Sequence, residues 1–181
     1  LAEQIAAAGT IAVGLVRPGY DDGAGAQSSG SNYNRIDSYT PQNVDAVAEA
    51  VRALRAHHKA RRVVLIGHSG GAAISGVILG KHPGVADAAV LVACPCHVPN
   101  WRSGRRAWTR SESPHAYAAA VPASALVVAL TGSQDDNTFP TLASSYAASL
   151  AARGVRARYV EVTGANHNAV FRAPETLQAI R

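Results

Sequence analysis

Methionine is missing from all 181 residues, position 1 included, and the chain opens directly on Leu1-Ala2-Glu3-Gln4. That opening does not read as a signal peptide, so the expectation is a processed or N-terminally truncated piece of something longer. Cysteine is almost absent too: Cys94 and Cys96 stand in Ala93-Cys94-Pro95-Cys96-His97. Without a second pair they cannot complete a zinc site, and their spacing reads as too short for an ordinary disulfide. They are expected to pack as small residues behind a strand. Charged residues make up only 16% and aromatics 6%, against 48% hydrophobic, which excludes disorder. No apolar run approaches bilayer length, so no membrane span is expected. The formal charge of +5 is spread over scattered sites such as Arg61-Arg62 and Arg105-Arg106. With so few aromatics among them, these describe a solvated surface and not a nucleic-acid interface.

What is present is an alternation of apolar runs and amphipathic segments. Residues 2–8 read as the end of a helix closed by Gly9, and Thr10-Ile11-Ala12-Val13-Gly14-Leu15-Val16 as a strand buried on both faces. Arg17-Pro18-Gly19-Tyr20 breaks that run, and a polar loop continues to Tyr39. Thr40 and Pro41 then start a helix, with Val44, Val47, Val51 and Leu54 at helical spacing. Strands follow at 63–66, 88–92, 125–130 and 156–162, with helices near 70–81, 115–120, 140–152 and 174–180. A Pro- and Arg-rich, lid-like excursion near 94–114 interrupts a single domain spanning 1–181. The expected fold class is α/β, a mostly parallel sheet of about five strands with helices on both faces. In such sheets, sites lie at the carboxyl ends of the strands.

The stretch Val63-Val64-Leu65-Ile66-Gly67-His68-Ser69-Gly70-Gly71 places a serine in a glycine-rich turn between strand and helix. Ser69 there is either an ordinary helix N-cap or the nucleophile of a G-x-S-x-G elbow. The loop lacks the Lys-Ser/Thr ending of a P-loop and does not fit G-x-G-x-x-G, which removes a nucleotide-binding reading. A nucleophilic serine needs a base, and the base an orienting acid. The loop after strand 125–130 carries Asp135 and Asp136; the loop after 156–162 carries His167. Three successive strand ends thus offer Ser, Asp and His in the order that this chemistry uses. Of seven histidines, only His167 stands in the loop after the last strand. His68 is too tied to the turn to act as base and is expected to border the substrate instead. Trp101 and Trp108, in the excursion, either contact an acyl chain or pin that loop down. No metal or cofactor is implied.

With those residues in place, the chain resembles the α/β-hydrolase superfamily over essentially its whole length. Gly67-His68-Ser69-Gly70-Gly71 matches the elbow, and Arg17-Pro18-Gly19-Tyr20 the loop of the strand before it. Gly132-Ser133-Gln134-Asp135 matches the acid loop and Gly164-Ala165-Asn166-His167 the base loop. Ser113-Pro114, the following strand and Asp135-Asp136-Asn137 are similar to prolyl-oligopeptidase-type peptidases, where the first Asp is catalytic. That resemblance selects Asp135, although the aromatic residue that usually follows the serine in that group is Gly70 here. It implies hydrolysis of a small acyl substrate through an acyl-enzyme, with the Gly70 N–H as one oxyanion donor. Ester and peptide substrates both stay open, as does a silent binding scaffold. The second oxyanion donor normally comes from a loop after the superfamily's third strand, which would lie upstream of Leu1 if 10–16 is the fourth. A missing segment or a partner chain is therefore expected to complete the sheet.

Overall fold

The computed structural model describes residues 9–180. The helix read at 2–8 lies outside the described residues. Four strands, β1 (Val64–His68), β2 (Ala88–Val92), β3 (Leu126–Gly132) and β4 (Arg156–Val162), form one sheet in the order β1-β2-β3-β4. Every pairing is parallel; Ile66 stands beside Val90, Val90 beside Val128, and Val128 beside Arg158. All four carboxyl ends therefore open on one edge of the molecule, as expected for this class.

The helices are α1 (Pro41–His57), α2 (Gly70–Lys81), the one-turn α3 (Val98–Trp101), α4 (Pro140–Ala151) and α5 (Pro174–Ile180), with a 3-10 helix over Pro114–Ala120. Thr40 caps α1 as its sequence predicts, the Oγ1 accepting from Asn43 N with Pro41 in the first turn. Alternate residues of β2 serve opposite faces. Ala89 and Leu91 join a core with α4 and the 114–120 segment, while Val90 and Val92 join one with Val162, Val170 and residues of α5. Helix α2 is buried nearly throughout, because it is sandwiched between the sheet and α1: Ala72 and Leu79 face the first core, and Ala73, Ile74 and Val77 meet Val44, Val47 and Val51.

Two expectations fail. Residues 10–16 form no strand: the segment has no ladder partner, and Ile11, Val13 and Leu15 are 62, 47 and 43% exposed. The sheet therefore has four strands, not five, and β1 is its edge. An apolar run becomes a buried strand only when a neighbouring edge satisfies its backbone groups, and none is placed against this one among the described residues. The second concerns Cys94 and Cys96, which are wholly buried and joined to each other as a disulfide. Ala93, just before them, takes a positive φ of 49°. Only Pro95 separates the two cysteines, and their Cα atoms stand 5.1 Å apart, inside disulfide reach.

The excursion after β2 is packed down, not splayed. The Asp37 carboxylate accepts backbone N–H bonds from Thr109, Arg110 and Ser111. Ser111 Oγ in turn accepts from Tyr39 N, and Ser113 Oγ from Val98 N. No described helix is long and apolar enough to cross a membrane.

Candidate active site

Ser69 sits where β1 hands over to α2, with φ 53° and ψ −116°. A non-glycine residue is rarely held there, and such strain marks a position whose surroundings enforce it. Its N–H bonds to Val92 O at 2.9 Å, which fastens the turn to β2. Gly67 is obligatory, because a Cβ there would stand 2.4 Å from the Gly71 carbonyl carbon. Gly70 is crowded by side chains instead of backbone: its Cβ would lie 2.4 Å from Arg17 Nη1 and 2.9 Å from the Tyr39 hydroxyl. Gly71 differs, since a Cβ at that position would meet nothing within 4 Å. Ser69 makes no side-chain cap bond to α2, so the N-cap reading is not what its hydroxyl serves.

The hydroxyl reaches His167 instead, with Oγ 3.1 Å from Nε2. On the other side of the ring, Nδ1 lies 2.9 Å from Asp135 Oδ2. Asp135 is 3% exposed, whereas Asp136 points to solvent, which favours Asp135 as the partner of the imidazole. Burial by itself would raise the Asp135 carboxyl. Hydrogen bonds from His167 and from the Thr138 hydroxyl and N–H outweigh it and hold the group below the usual carboxylate range. Asp135 thus stays ionised, orients the Nδ1–H tautomer of His167, and leaves Nε2 as an acceptor towards Ser69.

The two loops are laced together before either reaches the serine. Gln134 N and Ser133 N bond to Ala165 O and Val162 O, and Gly164 N bonds back to Ser133 Oγ. Gly132 permits this approach, for a Cβ there would fall 2.0 Å from Ala165 O. His68 contributes on the same side. Its Nε2–H donates to the His167 carbonyl at 2.7 Å, and its ring packs against those of His167 and Phe171. Burial pushes the His68 pKa down, keeping it neutral. It also lines an open cleft of about 520 Å³ with Asn166, Asn168, Ala169, Phe171 and Arg172.

Trp101 takes the second of its two sequence readings. It is 7% exposed, donates from Nε1 to Asn137 O at 2.8 Å, and packs against Tyr39 and Trp108. Its apolar surface is spent on pinning the excursion to the acid loop. Trp108 is half-buried beside it and stacks edge-on against Tyr39. Sequence reasoning missed Thr138, whose hydroxyl stands 2.7 Å from Asp135 Oδ2 and 3.1 Å from His167 Nδ1. A threonine three residues beyond an aspartate carries no signal of its own. Arg17 and Tyr39 were missed too, because nothing local says that the loop after residue 16 folds back onto Gly70. Among the described residues no group of three or more metal-ligating side chains gathers.

Residues 16–179 match the model of the prolyl oligopeptidase family. No curated protein matches the chain. Among solved structures, uncomplexed acylaminoacyl peptidase of Pyrococcus horikoshii superposes with a TM-score of 0.66 at 11% identity, over 80% of this chain and 27% of that one. A predicted CIB-like hydrolase from Thermoplasma acidophilum gives 0.61 at 20% identity, over 90% and 66% of the two chains. A truncated carbohydrate esterase from gut microbiota gives 0.66 at 15%, over 85% and 70%. The chain thus spans about a quarter of the length of the acylaminoacyl peptidase. At these identities the superpositions establish a common fold, and the family match reaches nearly the whole sequence. The chain belongs to the prolyl oligopeptidase family, within the α/β-hydrolase-fold serine hydrolases.

Proposed function

We propose that Ser69, His167 and Asp135 act as a catalytic triad that hydrolyses a carboxylic ester of a small acyl substrate. The observation that carries this is the unbroken relay of 3.1 Å from Ser69 Oγ to His167 Nε2 and 2.9 Å from Nδ1 to Asp135 Oδ2. His167 Nε2 takes the Ser69 proton as Oγ attacks the acyl carbon, and Asp135 stabilises the imidazolium. The carbonyl oxygen becomes an oxyanion at the open start of α2, where the Gly70 N–H is a donor. One such donor is worth roughly 3 kcal/mol of barrier. His167 then returns the proton to the leaving alkoxide, and a water that it deprotonates cleaves the acyl-enzyme. His68 and Trp108 border the substrate; Trp101 acts through the loop it pins.

A peptide bond is the second reading, and the family match favours it, since the same steps cleave an amide when the leaving amine is protonated. An intact relay speaks against a silent scaffold. The test is mass spectrometry after exposure to a fluorophosphonate probe, with Ser69→Ala as control. A single adduct at Ser69, absent in the variant, is the expected result. Folded wild-type protein that takes no label overturns the proposal. Activated esters against aminoacyl anilides then separate the two readings.

A further inference from the structure

The elbow holds a cation that the mechanism above does not use. Arg17 leaves the unpaired 10–16 segment and reaches back to the start of α2. Its Nη1 stands so close to Gly70 that any larger residue there would displace it. The Tyr39 hydroxyl fills the same space from the other loop. Here Gly70 leaves that volume to a guanidinium and a phenol.

The electrostatics of this placement are unfavourable as they stand. A helix N-terminus is the positive end of its dipole, and α2 runs twelve residues from Gly70. Arg17 brings a full positive charge to that end. Among the described residues no carboxylate pairs with it, and its side chain makes no hydrogen bond. The guanidinium carbon lies 4.2 Å from the centre of the Tyr20 ring. Tyr39 is 4% exposed, and burial raises its pKa, so the hydroxyl stays protonated and able to donate. The start of α2 thus gathers a guanidinium, a phenol O–H and the Gly70 N–H, all donors, at the residue that follows Ser69. An arginine fork matches a carboxylate geometrically.

We infer that Arg17, with Tyr39, recognises a carboxylate on the acyl part of the substrate, so that the site prefers anionic acyl groups. The acyl part is the relevant side because the leaving group must lie against His167, which returns its proton, whereas Arg17 stands beside Gly70. This rests on the hydrolase reading proposed above.

The experiment compares two p-nitrophenyl esters of similar length, the neutral butyrate and the hemisuccinate, on wild type, Arg17→Gln and Arg17→Lys. For wild type, kcat/KM is expected to favour the hemisuccinate about tenfold, with the preference shrinking as salt is added. In Arg17→Gln that ratio falls to about one, through KM more than kcat, and Arg17→Lys restores part of it. An equal ratio in wild type and Arg17→Gln overturns the inference, as does a loss that strikes both esters alike. Should Arg17→Gln fail to fold, wild type supplies a second readout: succinate is expected to shield Ser69 from the fluorophosphonate at lower concentration than neutral succinamide. Equal shielding also overturns it. Wild type that neither takes the label nor cleaves either ester instead brings down the hydrolase reading.

Discussion

At the residue scale, the arrangement turns on a few side chains whose burial forces them into partnership. Asp135 cannot be ionised in its pocket without donors, and His167, Thr138 and Asn137 N all supply them. Asp135→Asn keeps the shape but presents an amide to Nδ1, which favours the wrong tautomer. Ester turnover is expected to fall roughly 10³–10⁴-fold with Ser69 still in place; steady-state kinetics on p-nitrophenyl butyrate checks it. Asp37 shows the same logic away from the serine. Burial would raise its carboxyl, yet the N–H groups of Arg110 and Ser111 and the Ser111 hydroxyl hold it below the usual range. A lowered folded pKa gives stability that is full above the unfolded value of about 4 and lost as pH falls through the folded value. Asp37→Asn is therefore expected to lower stability by about 2 kcal/mol at neutral pH. The gap to wild type should close as the pH falls below about 4, read from denaturant midpoints across a pH series.

At the element scale, the strand-to-helix turn of β1 and α2 makes the glycines of one motif unequal. Gly67→Ala forces a Cβ into the Gly71 backbone, so it is expected to cost several kcal/mol or to abolish folding. Gly71→Ala meets open space inside a helix and is expected to stabilise by about 0.5–1 kcal/mol. Thermal melts of the two variants decide it; a Gly71→Ala variant as damaged as Gly67→Ala would contradict the geometry. The motif alone cannot rank these glycines, because the difference lies in which backbone each one faces. The disulfide belongs to this scale as well. Its Cα atoms stand 5.1 Å apart across Pro95, a closeness that the Cys-Pro-Cys spacing does not announce.

At the scale of the whole molecule, a parallel sheet collects loops distant in sequence at one edge, and the three groups of the relay arrive there from β1, β3 and β4. The opposite consequence appears where no partner covers an apolar surface: Ile11, Val13 and Leu15 lie exposed, and at the β1 edge Val64 is 41% exposed. Exposed apolar rows and open edges invite self-association. Replacing Ile11 and Val13 by lysine is expected to delay aggregation on concentration, followed by light scattering. Because both side chains are already in solvent, the melting temperature should change little, within the equivalent of about 0.5 kcal/mol.

Local patterning determined the parts that depend only on neighbours in the chain. The strands at 88–92 and 156–162, the capped start of α1, the helix after Ser69, and the order of Ser, Asp and His at strand ends all follow from periodicity and turn chemistry. Tertiary structure decided whatever depends on a distant partner. The run 10–16 has the composition of a buried strand but is laid against no sheet edge, so it stays in solvent. Trp101 has the look of a substrate contact but finds Asn137 and Tyr39. Arg17 reaches the start of α2 only because Gly70, more than fifty residues away, leaves room for it. Hydrophobic pattern states what a segment can bury; which surface it meets is set by how the sheet edge and its loops close in space.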